Sequence, residues 1–271
     1  MNRTAARGIP FAVIALLLSS AIGGVANAQA PAPKLNSMTL WEARRRLVES
    51  FMLASPTRSH MIVDSGSFQF TLDSFEFDAI CDKKREHFKV DLKNLEPVIG
   101  KFSESGFMRV KSEVGKDLPA PLNRLVYFKM GVSAGESLAY AQSLAAALNS
   151  LRYYAGDAGE PLRTFPQRAA TWRALATKPP IPEEVRVQRL LAEDAIKEKN
   201  PDEALNHYEN GIELYPTWPE GNFNAALIAA ELKYYANAIE HMQAYLELVP
   251  NAADAQAAHE KILIWQVKSK Q

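Results

Sequence analysis

Residues 201–250 read PDEALNHYENGIELYPTWPEGNFNAALIAAELKYYANAIEHMQAYLELVP, and this stretch decides how the C-terminal part of the chain folds. Pro216 and Pro250 lie 34 residues apart, as do Ala204 and Ala238, Leu205 and Ile239, Tyr208 and Met242, and Leu214 and Leu248. A fixed internal period of this size marks units that stack because none can bury its apolar face alone. Leu205, Tyr208, Ile212 and Leu214 recur at helical spacing. Pro216 and Pro250 lack an amide hydrogen and disfavour helical geometry in the residue before them, so each closes a second helix. Ala192, Ala204, Ala226 and Ala238 allow helices to approach at ~8–10 Å.

These residues resemble a tetratricopeptide (TPR) array, whose unit is a helix-turn-helix of that length. One unit spans 185–218 and carries Asp202-Glu203-Ala204-Leu205, Tyr208, Gly211 and Pro216. A second spans 219–252 and carries Asn224, Glu231 to Tyr235, Ala238, Tyr245 and Pro250. Tyr245 stands where such units usually have a small residue, and Ala195 where they have a large one. The stretch from Asp254 to Val267, patterned by Ala258, Ile262 and Trp265, reads as a capping helix. Such stacks need about three units to bury a core, so the array is expected to pack on other parts of the chain. Residues 158–184 supply a helical buttress through Phe165, Trp172 and Leu175, and then a stiff junction, Lys178-Pro179-Pro180-Ile181-Pro182.

Upstream the apolar period changes to two. Phe68 and Phe70, Phe75 and Phe77, Phe88, Val90 and Leu92, Met108 and Val110, and Val126, Phe128 and Met130 alternate with polar neighbours. Turn residues separate these runs, which predicts six or seven short antiparallel strands with one buried face. A helix from Met38 to Leu53 precedes them. A longer one follows, Ala134 to Tyr154, with an apolar stripe of Ala141, Leu144, Leu148 and Leu151. This order is similar to a pleckstrin-homology (PH-like) domain, and the resemblance rests on element order alone. The expected class is α+β. Residues 31–58 form an extended terminus and a helix, 59–157 an antiparallel β-rich domain closed by a long helix, and 185–271 an all-α array of two units and a cap.

Residues 1–30 have a basic start (Arg3, Arg7), an apolar stretch from Ile9 to Leu18, and the triplets Ala26-Asn27-Ala28 and Ala28-Gln29-Ala30. That layout predicts a cleaved Sec-type signal peptide and a periplasmic or secreted protein without stable membrane insertion. The single cysteine, Cys81, lies far from the cleavage region, which excludes a lipoprotein. Alone, it also closes no internal disulfide and builds no cysteine zinc site.

The chain has 31 basic and 31 acidic residues, so no bulk cationic field favours nucleic acid. The charge is nonetheless divided. Residues 183–271 hold 8 basic and 15 acidic side chains, a balance of −7, and residues 31–182 hold 21 and 16, a balance of +5. Opposite signs favour docking of the two parts within screening range. Arg44-Arg45-Arg46 and Lys83-Lys84-Arg85 read as solvated surface.

No His-Glu-x-x-His, Gly-x-Ser-x-Gly or phosphate-loop sequence occurs. Glu76 and Asp78 share one strand face at ~6.6 Å of rise, a spacing that reads as the wet side of a half-buried strand. His207 and His241 occupy equivalent positions of the two units but lack further ligands for zinc. Cys81 reads as a core residue. No catalytic residue, metal or cofactor is therefore expected. The sequence points to a non-enzymatic module for protein–protein interaction or scaffolding, with a protein or peptide of the bacterial envelope as partner. In arrays similar to this one the first helices line the groove. The resemblance carries that role to Arg186, Arg189, Glu193 and Lys197 of the first unit, and to Phe223, Asn224, Leu227 and Glu231 of the second. Arg189 and Asn224 match two positions of a carboxylate clamp, whereas Glu193 replaces another of its asparagines. The alternative is lipid or peptide binding by the N-terminal domain, with the repeats as support.

Overall fold

The structure, a computed structural model, describes residues 38–53, 61–81, 83–102, 108–114, 118–119, 122, 126–127 and 134–269. The expected signal peptide and the strand positions Phe128 and Met130 lie outside the described residues.

Thr39 starts helix α1 (Leu40–Leu53) by accepting a hydrogen bond from the Glu42 amide at 3.0 Å. The helix buries Leu40, Ala43, Leu47 and Phe51 along one stripe. Strands β1 (Met61–Val63), β2 (Gln69–Phe70), β3 (Ser74–Cys81) and β4 (Lys84–Asp91) form an antiparallel sheet centred on β3. Strict alternation puts Phe75, Phe77, Ala79 and Cys81 in the core, with Phe77 opposite Phe88 and Phe75 opposite Val90. Phe51 of α1 meets Phe77 edge-on, with ring centres 4.9 Å apart, which locks helix to sheet.

A second sheet holds β5 (Val98–Phe102), β6 (Met108–Ser112) and β7 (Val126–Tyr127). Helix α2 (Ala134–Ala155) packs on it and on α1, burying the predicted stripe of Ala141, Leu144, Leu148 and Leu151. Gly100 makes that contact possible, since a Cβ there would lie 2.5 Å from the Ala141 backbone. Among the described residues the alternating runs thus fall into two small antiparallel sheets.

Short helices α3 (Glu160–Arg163) and α4 (Phe165–Ala174) lead to the junction, and five helices follow. These are α5 (Glu183–Lys197), α6 (Pro201–Leu214), α7 (Pro219–Glu231), α8 (Tyr235–Leu248) and α9 (Ala255–Lys268), each packed on the next. Helices α6 and α8 begin and end 34 residues apart. The turns before them are also alike. Lys199 (φ 59°) and Lys233 (φ 66°) adopt the left-handed conformation. The amides of Lys199 and Asn200 then bond to the carbonyls of Ile196 and Ala195, and those of Lys233 and Tyr234 to Ala230 and Ala229. This is the Schellman arrangement, twice, at the same period. Ala192, Ala204, Ala226 and Ala238 are fully buried where the helices approach. Trp218 fills the space over Gly211 and Gly221 and lies 5.8 Å from the Tyr208 ring.

The basic run on α1 departs from its surface reading. Arg46 is half exposed, but Arg44 and Arg45 are buried against α6 and α8, because Glu209 and Glu240 of those helices receive them. Lys84 and Arg85 are exposed as predicted, and Arg85 pairs with Asp78 at 2.7 Å. Among the described residues no helix is long and apolar enough to cross a membrane.

Candidate functional site

Two places concentrate polar and aromatic chemistry, the junction of α1 with the helical array and a groove at the edge of that array. At the junction, the Glu209 side chain has no solvent exposure. It accepts from both ends of the Arg45 guanidinium, at 2.9 Å from Nη2, and from the Thr39 hydroxyl at 3.1 Å. Burial alone would push the Glu209 carboxyl up, but the Arg45 guanidinium holds it below its usual range. His241 is also fully buried, lies tilted against the Trp41 ring with centres 4.6 Å apart and places Nε2 at 3.6 Å from Glu209, beyond hydrogen-bond length. One turn along α6, Glu213 accepts from the Leu40 amide and from the Tyr154 hydroxyl, both at 2.7 Å. Among the described residues no cation pairs with it, and burial pushes its carboxyl up to about 8. Arg44 donates to both oxygens of Glu240, which also accepts from the Trp41 indole. This network is a structural clasp between second helices of the array and α1.

The groove has a volume of about 910 Å³. One wall is α4 and the junction, with Trp172, Arg173, Lys178 and Pro179. The other is the start of α7 and the end of α8, with Phe223, Asn224, Tyr245 and Val249. Arg173 donates to the Glu247 carbonyl and so ties α4 to α8. Lys178 caps the end of α4 by donating to the carbonyls of Arg173 and Leu175, with Nζ 4.7 Å from the centre of the Trp172 ring. The Phe223 and Tyr245 rings lie 5.0 Å apart, and the Tyr245 hydroxyl donates to Asp254 at 2.6 Å.

Of the eight residues carried over from the resemblance, Phe223 and Asn224 line this groove. Phe223 is half-buried against Tyr245. Asn224 donates to the Tyr208 hydroxyl at 3.2 Å. Arg189 and Glu193 approach that same phenol, which burial first and then the Glu193 charge push up. Arg189 and Glu193 sit 3.6 Å apart. The remaining four stay apart from both groups. Arg186 pairs with Glu183, Lys197 with Asp194, Leu227 packs against the core, and Glu231 is exposed. Trp172 and Tyr245 belong to the groove although neither was read as a binding residue. The large side chain of Tyr245 at a position where a small one is usual is the sequence signal that pointed there.

Elsewhere, Glu76 and Asp78 form an ionic ladder with Arg85, His87 and Lys89 on the wet face of β3 and β4. His207 bonds to Gln188 at 2.9 Å, while His241 lies in the clasp. Among the described residues no group of three His, Cys, Asp or Glu side chains is placed to hold a metal ion. Comparison with known protein-family models and with curated protein sequences finds no match for this chain.

Proposed function

We propose that this protein is a non-enzymatic, exported interaction module. In this reading a short TPR array is held on a PH-like N-terminal domain and binds a protein or peptide of the bacterial envelope. The observation that carries the reading is the side on which the array is held. Helices α6 and α8 make the ionic contacts with α1, and the aromatic groove between α4 and α7 stays open at the edge of the stack. A cavity of this size that mixes the rings of Trp172, Phe223 and Tyr245 with charged and amide side chains suits a segment of polypeptide. Lipid or peptide binding by the N-terminal domain is the weaker reading, because Phe51, Phe68, Phe75 and Phe77 fill the described inner face of the first sheet.

The test is affinity capture from an envelope fraction with the full chain, comparing wild type, Phe223→Ala and a control on the wet strand face, Glu76→Ala. A protein retained by wild type and control but lost by Phe223→Ala supports the reading. Identical retention by all three, or retention of nothing, removes it.

A further inference from the structure

We propose that two copies of this chain pair through the outer face of α9, antiparallel about a two-fold axis at Ile264. The inner face of that helix packs on α8 and buries Ala258, Ile262 and Trp265. The side turned away carries Leu263, Ile264 and Val267, which are 62%, 52% and 61% exposed. One and four residues apart on a helix, these three side chains share a single patch on its last two turns. A contiguous aliphatic patch left in water marks a contact surface.

The charges beside the patch select a second copy as its occupant. Glu260 precedes Ile264 by four residues, and Lys268 follows it by four. Charges on a helix surface find partners three or four residues away, and no opposite charge stands there for either residue. Both are exposed, and neither makes an ion pair among the described residues. Glu260 accepts from the Gln256 amide at 2.9 Å, and the Lys268 ammonium lies 5.8 Å from the centre of the Tyr235 ring. A second helix turned antiparallel about Ile264 brings its lysine opposite Glu260. The same rotation brings its glutamate opposite Lys268. Each contact is thus made twice, as a closed two-fold interface requires. Leu263 and Val267 of one helix then lie beside Val267 and Leu263 of the other, so the patch covers itself.

Helix α5 gives the contrast. Val187, Leu190 and Leu191 are also exposed there. Its ion pairs, however, close within the helix, Glu183 with Arg186, Arg189 with Glu193 and Asp194 with Lys197, so they set no register with another molecule. Pairing through α9 does not depend on what the groove binds and leaves it open. Asp254, at the groove, lies ten residues before Ile264, ~15 Å away along the helix axis. One helix pair buries less than the roughly 1,000 Å² of a stable assembly, so the dimer forms reversibly, at micromolar concentration.

Sedimentation equilibrium of the full chain over a concentration series reads the association directly. The expected result is a monomer–dimer equilibrium. Ile264→Glu should raise the dissociation constant by roughly ten-fold or more, since it places two carboxylates at the centre of the interface. Glu260→Lys or Lys268→Glu alone should weaken the dimer several-fold. The double exchange Glu260→Lys with Lys268→Glu should bring it back to near the wild-type value, because the same pairs form with their ends reversed. Ile264→Cys, next to its own counterpart on the axis, should close an intermolecular disulfide under mild oxidation, whereas the wild type, whose one cysteine is buried, should not. A chain that stays monomeric throughout the series overturns the proposal, as does assembly beyond a dimer. A dimer indifferent to Ile264→Glu, one lost instead on Leu190→Glu of α5, or a double exchange that fails to restore pairing overturns it as well. All these positions are exposed, so each variant should keep the wild-type thermal transition when dilute, and a lost dimer then reports the contact and not the fold.

Discussion

Replacing Arg45 by methionine tests the clasp directly. Methionine keeps most of the aliphatic stem that packs between α1 and α6, so the change removes charge and hydrogen bonds with little loss of volume. Glu209 then keeps the Thr39 hydroxyl and the imidazole of His241 at 3.6 Å, but the guanidinium that paired with it is gone. Its side chain has no solvent exposure, so water cannot take the place of Arg45 without opening the junction. Removing one partner of such a buried pair costs about 3–5 kcal/mol. At ~2–4 °C per kcal/mol for a chain of this size, Tm falls by roughly 6–20 °C at pH 7. The pH dependence identifies the cause. In wild type the Glu209 carboxyl is held below its usual range, so its contribution is present at neutral pH and is lost as pH falls through that depressed value. In Arg45→Met the Thr39 hydroxyl and His241 offset burial less than Arg45 did, so the same carboxyl rises, and the penalty is largest at neutral pH and is relieved as the group takes up a proton. The gap between the two proteins therefore narrows from pH 7 towards pH 4.5. Adding Glu209→Leu recovers most of the loss at pH 7, because it removes the stranded charge. Urea or thermal denaturation measured across this range decides it. A loss under about 1 kcal/mol at pH 7, or a gap independent of pH, would refute the reasoning.

Further outcomes follow from single positions. Glu213 has its carboxyl raised to about 8 by burial, so the native state keeps a proton that the unfolded chain releases near 4.5. Stability from this group is full below 4.5 and is lost as pH rises to 8, and Glu213→Gln should flatten that slope in denaturation between pH 5 and pH 8. Gly221→Ala puts a Cβ 2.1 Å from the buried Trp218 ring and should destabilise by about 1–3 kcal/mol, read as a lower urea midpoint. Lys233→Gly should stabilise by about 0.5 kcal/mol, since relief of left-handed strain of ~1–2 kcal/mol outweighs the extra chain entropy of glycine. Phe223→Ala should cost only ~1–2 kcal/mol, because the side chain is half-buried and its main aromatic contact is Tyr245.

Much of this architecture was legible in one dimension, because its causes are local. Alternation in Ser74–Cys81 requires that Phe75 and Phe77 share a face, and the core they enter is where that face points. The proline and alanine period of residues 201–250 marks the helix ends and the close approaches, and α6 and α8 keep that spacing to the residue. The capping helix from Asp254 and the stripe of α2 follow from the same periodicity.

The site was less legible. Phe223 and Asn224 were named from their place in the repeat, yet the groove also needs Trp172 from a segment that carries no repeat pattern. Arg44 and Arg45 look like solvated helix surface in sequence, since three adjacent cations carry no mark of a partner. Their carboxylates lie 196 and 164 residues away along the chain, respectively. Periodicity reports which face of an element is apolar, because that preference acts through neighbouring turns of one helix or one strand. It is silent on which buried charge meets which. That pairing arises only when α1 settles on α6 and α8, where loss of solvent makes a mismatched carboxylate costly and a matched one specific to its place. The sequence by itself thus determined the elements and the faces they bury, and tertiary packing decided which distant side chains meet in the clasp and at the groove.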